Sequence, residues 1–333
     1  MAPVRVDPQG KSGPSRAQAR GSGWRTSSQG LFVPAHVDPL LPEQRIVEAA
    51  ALLPSYGGVT GWGALRWSGG HWFDGLTDGG RTLLPVTLAA GGNIRERPGV
   101  RICEEGLNPK DLCELDGLRI TTAVRSVCYE MRYAASDRLA VVALDMATFS
   151  DLVSIDELWA YALAHAAWTG IPRCRRAAGL ADENSWSPRE TLLRLVWELD
   201  AGLRRPLCNV PIFDESGRHI GTPDLFDPQA GVAGEYDGAL HLLGAQRARD
   251  LRREEKFRNH GLEYVTMLAG DQADPAGLVA RLLATFDRAS AIPASRKRWT
   301  LTPPPWWVDT TTVLARRELT EAQRLRLLRN RAG

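Results

Sequence analysis

The sequence of 333 residues has no apolar run that approaches the roughly eighteen residues that a membrane-spanning helix needs. Its first stretch, MAPVRVDPQGKSGPS, is polar and rich in proline and glycine, and it lacks the apolar core of a secretory signal. Both absences argue against a membrane or secreted protein. We therefore expect a cytoplasmic protein with no membrane partner.

Cysteine is scarce, and the pattern of its positions argues against a zinc site or a disulfide framework. The five cysteines are an odd number and are widely scattered. A zinc site needs paired ligands at short spacing, and no Cys-x-x-Cys pair has a second pair to complete it. We interpret the cysteines as reduced thiols: Cys103, Cys113, Cys128, Cys174 and Cys208.

Hydrophobic residues make up 44% of the chain and charged residues 24%, which is typical of a folded protein long enough for two domains. The net charge of +2 is unevenly distributed, because residues 1–33 carry +4 and residues 295–333 carry +6, which leaves −8 on the body. Basic ends on an acidic body indicate arms that contact a polyanion, or solvated tails that keep the protein in solution.

The pattern of helices and strands predicts a front half made of several parts. We expect residues 1–14 to be disordered. Residues 15–40 contain a short helical piece with two arginines, then Gly-Trp-Arg and an apolar strand, as at the end of a winged helix-turn-helix. Residues 41–182 form a helix-rich α+β domain, with one helix that starts at Pro42 and another that starts near Thr122, whose hydroxyl is a candidate N-cap.

Residues 183–290 have an element order of α-β-β-β-α-β, which predicts an α/β (α+β) domain with a mixed sheet flanked by helices. Its basic helix should end at Gly261, a residue type that favours the left-handed position after a helix. Residues 291–333 form a basic tail rich in proline and tryptophan. The tryptophans of the tail either pack on the body, which we favour, or anchor a protein interface.

Three acidic residues lie around one short turn in the stretch TPDLFDPQAGVAGEYDG, which covers residues 222–238. Asp224 belongs to one predicted strand and Glu235 to the next, so a hairpin can bring their carboxylates together. Oxygen ligands of this kind suit Mg²⁺. A solvated surface hairpin would give the same spacing, so the pattern alone does not establish a metal site.

Pro223-Asp224, ten further residues and then Glu235-Tyr236-Asp237 resemble the core of PD-(D/E)XK nucleases. The resemblance is closest to an actinobacterial endonuclease-like family related to the very-short-patch-repair endonuclease, and it covers about residues 183–270. It continues at these positions: Gly238, His241, Asp250, Arg253, Phe257, Gly261 and, in the leading helix, Glu190. The resemblance implies a restriction-endonuclease-like fold and hydrolysis of DNA with Mg²⁺ or Mn²⁺.

The same resemblance assigns roles to individual residues. It implies that Asp224 and Glu235 hold the metal ion, with the carbonyl of Tyr236 as a further ligand. Glu190 would orient water or support the ligands. If Glu190 has no catalytic role, its negative charge would instead stabilise the positively polarised N-terminus of its helix.

Asp237 stands where the wider superfamily has lysine, so it is either an additional ligand or a sign of a weakened site. His241 is the best remaining proton shuttle, because an imidazole titrates near neutral pH, although it would equally suit a surface histidine. Arg249 and Arg253, on the following helix, are candidate phosphate contacts. The mixed charges of that helix are also typical of an ordinary solvated face.

The front half more weakly resembles proteins whose start is similar to the AbiEi-type antitoxin winged helix. That resemblance rests on the segment SRAQARGSGWRTSSQGLFVP and on a later strand-to-helix element with Gly117, Thr121 or Thr122, and Arg125. It implies that residues 15–34 contact DNA through Arg16, Arg20 and Arg25. Without the first helices of a winged fold, the segment would equally serve as a cap on the middle domain.

Two functions follow from these patterns. The first is a divalent-metal-dependent DNA endonuclease that acts in DNA repair or phage defence. The second is a DNA-binding regulator of antitoxin type, with a nuclease-like domain that does not cleave and with a toxin or defence protein as a partner. Metal dependence and the Asp224 and Glu235 pair distinguish the first function from the second.

Overall fold

The computed structural model of the chain describes residues 1–77, 80–91, 94–237, 244–272 and 274–329, and for residues 244–251, 269 and 272 the description covers the backbone alone. Two compact units are present. The first contains Met1–Ala134 with Glu157–Cys174, and the second contains Ala135–Asp156 with the chain from Arg175 onward. Both mix helices and strands, which confirms the α+β prediction. No helix within the described ranges is long and apolar enough to cross a membrane.

The first unit starts with an antiparallel hairpin of β1 (Trp24–Ser28) and β2 (Leu31–Pro34), which a 3-10 turn at Gln18–Arg20 precedes. Val4 lies in the stretch that we expected to be disordered, and its backbone exchanges hydrogen bonds of 2.8 and 2.9 Å with Phe32 of β2. The predicted apolar strand is present as β2, and Gly-Trp-Arg leads into a second strand, β1, that the sequence did not predict. Whether residues 15–40 act as part of a winged helix stays a prediction.

A mixed sheet forms the centre of the first unit, with the strand order β7-β6-β3-β9-β8 among the described strands. Its neighbours are antiparallel except for the parallel pairs β6/β7 and β3/β9. A short separate hairpin consists of β4 and β5. The bounds are β3 (Gly58–Thr60), β4 (Leu76–Thr77), β5 (Thr82–Leu83), β6 (Val86–Ala89), β7 (Val100–Cys103), β8 (Leu112–Leu115) and β9 (Leu118–Thr121).

The helices α1 (Pro42–Ala50), α2 (Trp62–Trp67) and α3 (Ala123–Tyr133) accompany this sheet. Pro42 occupies the first turn of α1, and Ile46 and Ala49 are buried three residues apart, as the apolar periodicity predicted. Thr122 stands at the N-cap position of α3, but its hydroxyl accepts no capping hydrogen bond. The prediction of a side-chain cap there is wrong. At this end of α3 it is the backbone carbonyl of Thr122 that accepts a hydrogen bond, from the N–H of Ser126 at 2.9 Å.

The second unit contains a sheet in the order β10-β13-β14-β15. Its strands are β10 (Leu207–Cys208), β13 (Leu225–Asp227), β14 (Val232–Asp237) and β15 (Glu263–Leu268), and a small separate ladder pairs β11 (Ile212–Phe213) with β12 (His219–Gly221). β13 runs antiparallel to β14, whereas β14 and β15 are parallel. The parallel pair requires a crossover, which contains α8 (Gly244–Asn259).

Successive residues of β13 point to opposite faces of this sheet, as the strand period requires. Leu225 packs with Trp197 and Leu278 on one face, whereas Phe226 packs with Ile212 and Phe257 on the other. Besides α8, the helices of the second unit are α4 (Asp137–Phe149), α7 (Pro188–Leu195) and α9 (Pro275–Ser290), and a π turn at Val196–Asp200 continues α7. Most of α5 (Ile155–Ala164) belongs to the first unit, and the boundary between the units falls within α6 (Ile171–Leu180). Gly261, after α8, has φ +77°, as predicted for its C-terminal position.

Trp299 and Trp307 of the tail pack on the rest of the second unit, as we favoured, whereas Trp306 is 64% exposed. Trp299 meets Phe226 edge-on with ring centres 5.1 Å apart, and Thr300 forms a backbone bridge with Phe213. Two short helices follow, α10 (Val313–Arg317) and α11 (Glu321–Leu327). Arg316 is completely buried and donates to Asp151 at 2.6 Å and to the carbonyl of Thr148 at 2.7 Å.

The predicted element order has three strands between the first two helices of residues 183–290, whereas the structure has five, β10 to β14. Asn209 ends β10 with φ +48°, and Pro211, which has no N–H group, precedes β11. The chain therefore leaves the main sheet after β10, and its next strand pairs with β12 instead. The same break turns Asn209 toward α7, where it contacts one of the predicted catalytic residues.

Candidate functional site

The hairpin of β13 and β14 brings two of the predicted metal ligands opposite one another. Leu225 pairs with Gly234, so Asp224, directly before β13, comes next to Glu235 on the partner strand. The turn is fixed by the Asp227 carboxylate, which accepts hydrogen bonds of 2.8 and 2.9 Å from the backbone N–H groups of residues 229 and 230. A residue with φ +75°, Gly231, completes the turn.

Asp224 is partly exposed and is held by backbone groups on both sides. Its Oδ2 accepts a hydrogen bond of 2.8 Å from the N–H of Tyr236, and its carbonyl oxygen accepts one of 2.9 Å from the N–H of Asn209. Desolvation raises the pKa of the Asp224 carboxyl group to about 6, although the Tyr236 N–H and the positive charge of Arg253 act in the opposite direction.

Glu190 lies in the first turn of α7, where Ser187 is the N-cap and accepts a hydrogen bond from the N–H of Glu190. The Glu190 carboxylate is buried, and its Oε2 accepts hydrogen bonds of 2.9 Å from the Trp186 N–H and 2.7 Å from the Asn209 side chain. Desolvation, followed by repulsion from Asp224, raises the pKa of Glu190 to about 8. Glu190 and Asp224 therefore disfavour each other's negative charge.

Glu235 is bound by a cation and a phenol. Its Oε1 lies 2.6 Å from Nη2 of Arg253, on α8, and its Oε2 accepts a short hydrogen bond from the hydroxyl of Tyr264 on β15. Burial and the negative charge of Glu235 raise the pKa of Tyr264, so that phenol remains a donor. Arg253 also donates to the carbonyl oxygen of Thr222 at 2.5 Å.

These residues form a group that we call the acidic site: Glu190, Asp224, Glu235, Asn209, Arg253 and Tyr264. A helix, a loop and a strand supply its three carboxylates, which are oxygen donors of the kind that Mg²⁺ and Mn²⁺ accept. Among the described residues, however, no three His, Cys, Asp or Glu side chains are arranged to hold one metal ion together. Any ion held here would therefore have at most two of these carboxylates as ligands, and water and substrate oxygens would be the others.

No family model, curated protein or solved structure matches this chain. The interpretation of the acidic site consequently depends on its own geometry. The family resemblance and the specific nuclease fold both stay predictions.

The other predicted residues of the second unit take different places. Tyr236 binds Asp224 through its N–H, and Asp237 is the last residue of β14. His241 lies outside the described residues, and Arg249 has a described backbone only, so their predicted roles stay predictions. Arg253, a predicted phosphate contact, pairs with Glu235 within the site, and its contact with phosphate stays a prediction.

The three arginines of the front half differ from one another in their environment. Arg16 and Arg20 are exposed. Arg25 forms an ion pair with Glu48, with Nη atoms 2.5 and 3.0 Å from the carboxylate, and its Nε donates to the carbonyl of Val37. Because Glu48 neutralises much of its charge, Arg25 should attract DNA phosphates less strongly than the two exposed arginines do.

Sequence reasoning missed Asn209, Tyr264 and the Arg253 ion pair. Asparagine is one of the few residue types that tolerate positive φ, which is the single local signal that could have drawn attention to Asn209. Tyr264 carries no such signal, because its contact with Glu235 spans 29 residues of sequence and depends on the parallel pairing of β14 with β15.

Proposed function

We propose that this protein is a divalent-metal-dependent endonuclease that hydrolyses DNA phosphodiester bonds at the acidic site. The proposal includes a restriction-endonuclease-like fold for residues 183–290. The observation that carries it is the convergence of Glu190, Asp224 and Glu235 at one end of the sheet, where an arginine already compensates part of their charge. Carboxylates with perturbed pKa values at a partly exposed position are typical of functional sites.

The donor chemistry supports an ion held by Asp224 and Glu235, with the carbonyl of Tyr236 as a further ligand. A carboxylate offers about four lone-pair sites, so Glu235 can bind an ion and still accept from Arg253 and Tyr264. The repulsion between Glu190 and Asp224 is the kind that a bound cation relieves. When bound, Mg²⁺ or Mn²⁺ would activate a water molecule and neutralise charge on the phosphodiester.

Arg253 supplies the fixed positive charge that the family pattern assigns to a lysine at position 237. Its guanidinium reaches Glu235 and Thr222 at once, and its field lowers the pKa of Asp224, so it lies close to both metal-binding candidates. A guanidinium stays protonated at any physiological pH and has donors left for a phosphate oxygen. Its role is to hold and neutralise the scissile phosphate, not to remove a proton.

The pairing of Glu235 with Arg253 and Tyr264 also favours a second candidate function. Both partners reduce the availability of Glu235 to a metal ion, and binding of DNA without cleavage would then depend on basic residues alone. In that case the protein is a DNA-binding regulator of antitoxin type, with a toxin or defence protein as a partner. Its affinity for DNA would depend steeply on salt and not on a divalent ion.

Cleavage of supercoiled plasmid by the purified protein tests the first function. The reactions contain Mg²⁺ or Mn²⁺, or EDTA, and the variants are Asp224→Asn and Glu235→Gln, which keep the shapes of the side chains. Asp287→Asn and Glu215→Gln are matched controls, because they remove exposed carboxylates that lie outside the acidic site.

The endonuclease proposal predicts nicking that needs the ion, that is lost in Asp224→Asn and Glu235→Gln, and that persists in both controls. Nicking in EDTA, or equal nicking by Asp224→Asn, would contradict it. If no condition gives cleavage and the protein binds DNA equally with and without the ion, the second function is the better account.

A further inference from the structure

A cavity of about 530 Å³ lies in the second unit, beside the acidic site. Three aromatic side chains line it, Trp186, His219 and Trp307, together with apolar residues such as Leu301. This volume is within the range of roughly 300–1,000 Å³ that is usual for small-molecule pockets. The cavity is large enough for one nucleotide-sized ligand.

The cavity and the acidic site share residues in their walls. Asn209 lines the cavity and donates to Glu190 at 2.7 Å, and the N–H of Trp186 donates to the same carboxylate at 2.9 Å. Thr222 lines the cavity as well, and its carbonyl oxygen accepts from Arg253. One residue, Asn209 or Trp186, therefore separates a ligand in the cavity from the Glu190 carboxylate of the acidic site.

The rings of the cavity are held in defined positions. Nε1 of Trp186 donates to Oδ1 of Asn184 at 2.9 Å. The Trp307 ring lies 5.6 Å from the His219 ring with planes 30° apart, and it meets Phe213 edge-on at 5.1 Å. Fixed aromatic rings with a few polar groups at the edge favour a flat, polar, aromatic ligand over an aliphatic one.

We propose that this cavity binds an unstacked nucleobase of the nucleic acid whose phosphate lies at the acidic site, with Trp307 as the principal stacking surface. The inference rests on the proposed function, and it specifies the substrate as single-stranded DNA. Within an intact duplex both faces of a base are covered by its neighbours, so such a base cannot enter. Proteins that bind single strands stack bases on aromatic side chains in this way.

The test compares binding of a fluorescein-labelled single-stranded oligonucleotide with binding of the same sequence as a duplex, by fluorescence anisotropy. The full chain is used, once in EDTA and once with Mg²⁺ in the Asp224→Asn background, so that no cleavage intervenes. The variants are Trp307→Ala and Trp307→Phe. Trp306→Ala is the matched control, because Trp306 is the adjacent residue, is 64% exposed and does not line the cavity.

Trp307→Ala should weaken single-strand binding by about 5- to 150-fold, which is the effect of losing one stacked base. Trp307→Phe should restore most of the affinity, and Trp306→Ala should resemble the wild type. Duplex binding should change little in any of them. Equal losses in Trp307→Ala and Trp306→Ala, or equal losses for single strand and duplex, would overturn the proposal.

The thermal unfolding curve of Trp307→Ala shows whether that variant is folded. A second variant tests the proposal even if it is not. Thr310 lines the cavity from a loop, so Thr310→Trp fills the cavity without removing a core residue. It should also weaken single-strand binding selectively, and unchanged binding would contradict the proposal.

The two proposals can fail separately. Metal-dependent nicking without a selective effect of Trp307→Ala and Thr310→Trp would support the nuclease proposal and contradict the base-pocket proposal. A selective loss of single-strand binding without any cleavage would support the pocket as a nucleic-acid site and contradict the nuclease proposal.

Discussion

Nη2 of Arg253 lies 2.6 Å from Oε1 of Glu235, and the same nitrogen donates to the carbonyl oxygen of Thr222. One guanidinium thus connects α8 with β14 and with the loop that precedes Asp224. An exposed ion pair usually stabilises a protein little, so this arrangement has more consequence for charge in the site than for the free energy of unfolding. Arg253 is 41% exposed at its side chain, which leaves it accessible to a phosphate.

The first prediction concerns this arginine. Arg253→Gln should lower the rate of metal-dependent nicking by about 100-fold, because the variant loses a charged donor to the phosphate. Arg253→Lys should retain an intermediate rate, since it keeps the charge but not the two-pronged geometry. The rates are measured under single-turnover conditions on supercoiled plasmid.

Arg252→Gln is the control for that prediction, because Arg252 is the neighbouring exposed arginine on α8. Equal rate losses for Arg252→Gln and Arg253→Gln would assign the effect to general attraction of DNA. Binding of Mn²⁺ should persist in Arg253→Gln, which separates a role toward phosphate from a role in holding the ion.

The second prediction is a dependence of stability on pH that arises from Glu190. Its pKa is raised from an ordinary 4.5 to about 8 in the folded protein, so the folded state binds a proton that the unfolded state releases between these values. The contribution to stability is complete below pH 4.5 and is lost as the pH rises through about 8. Glu190→Gln should remove this dependence.

Urea unfolding of the wild type and of Glu190→Gln at several pH values between 5 and 8 measures the effect. The free energy of unfolding of the wild type should fall relative to that of the variant by at most about 1.4 kcal/mol per pH unit. The free energy of unfolding of Glu215→Gln, a variant at an exposed site, should depend on pH as that of the wild type does. If the free energy of Glu190→Gln also follows that of the wild type, the Glu190 carboxyl group has an ordinary pKa.

The third prediction is stabilisation by the ion itself. A ligand that binds only the folded state at ten times its Kd adds about 1.4 kcal/mol to the free energy of unfolding. Mg²⁺ or Mn²⁺ should therefore raise the Tm of the wild type and of Asp287→Asn, but not that of Asp224→Asn. Equal increases in all three proteins, measured by differential scanning fluorimetry, would place ion binding elsewhere.

The sequence predicted the Asp224 and Glu235 hairpin because its signals are local. The apolar residues of the two strands, the turn residues from Asp227 to Gly231 and the spacing of the two acids are all visible within 17 residues. Glu190 was also predictable, as the acid in the first turn of a helix that Ser187 caps.

The remaining contacts of the acidic site depend on tertiary pairing that no local signal specifies. Tyr264 reaches Glu235 because β15 pairs in parallel with β14, and Asn209 reaches Glu190 because the strand breaks at a positive φ. The charge pattern of α8 indicated a solvated face or phosphate contacts. It could not indicate where the side chain of Arg253 points. The helix has charged residues on several faces, and only tertiary packing determines which of them contacts β14.

The last prediction concerns the contact between α4 and α7, the helix that contains Glu190. Arg194 of α7 and Asp145 of α4 form an ion pair of 2.6 Å in which both side chains are fully buried. Asp145 also accepts hydrogen bonds of 2.8 Å from the hydroxyl of Thr191 and from the N–H of Asp182. Removal of one member leaves an uncompensated buried charge, which is far more costly than the loss of a surface pair.

Asp145→Asn should therefore lower the free energy of unfolding by about 3–5 kcal/mol, measured by urea denaturation. Arg176→Gln is the control, because its pair with Asp137 has side chains that are 60% and 42% exposed, and it should cost at most about 1 kcal/mol. Because Glu190 and Arg194 lie on successive turns of α7, Asp145→Asn should also lower nicking at temperatures where the protein stays folded. Comparable stabilities for the two variants would mean that water enters around Asp145 and screens its charge.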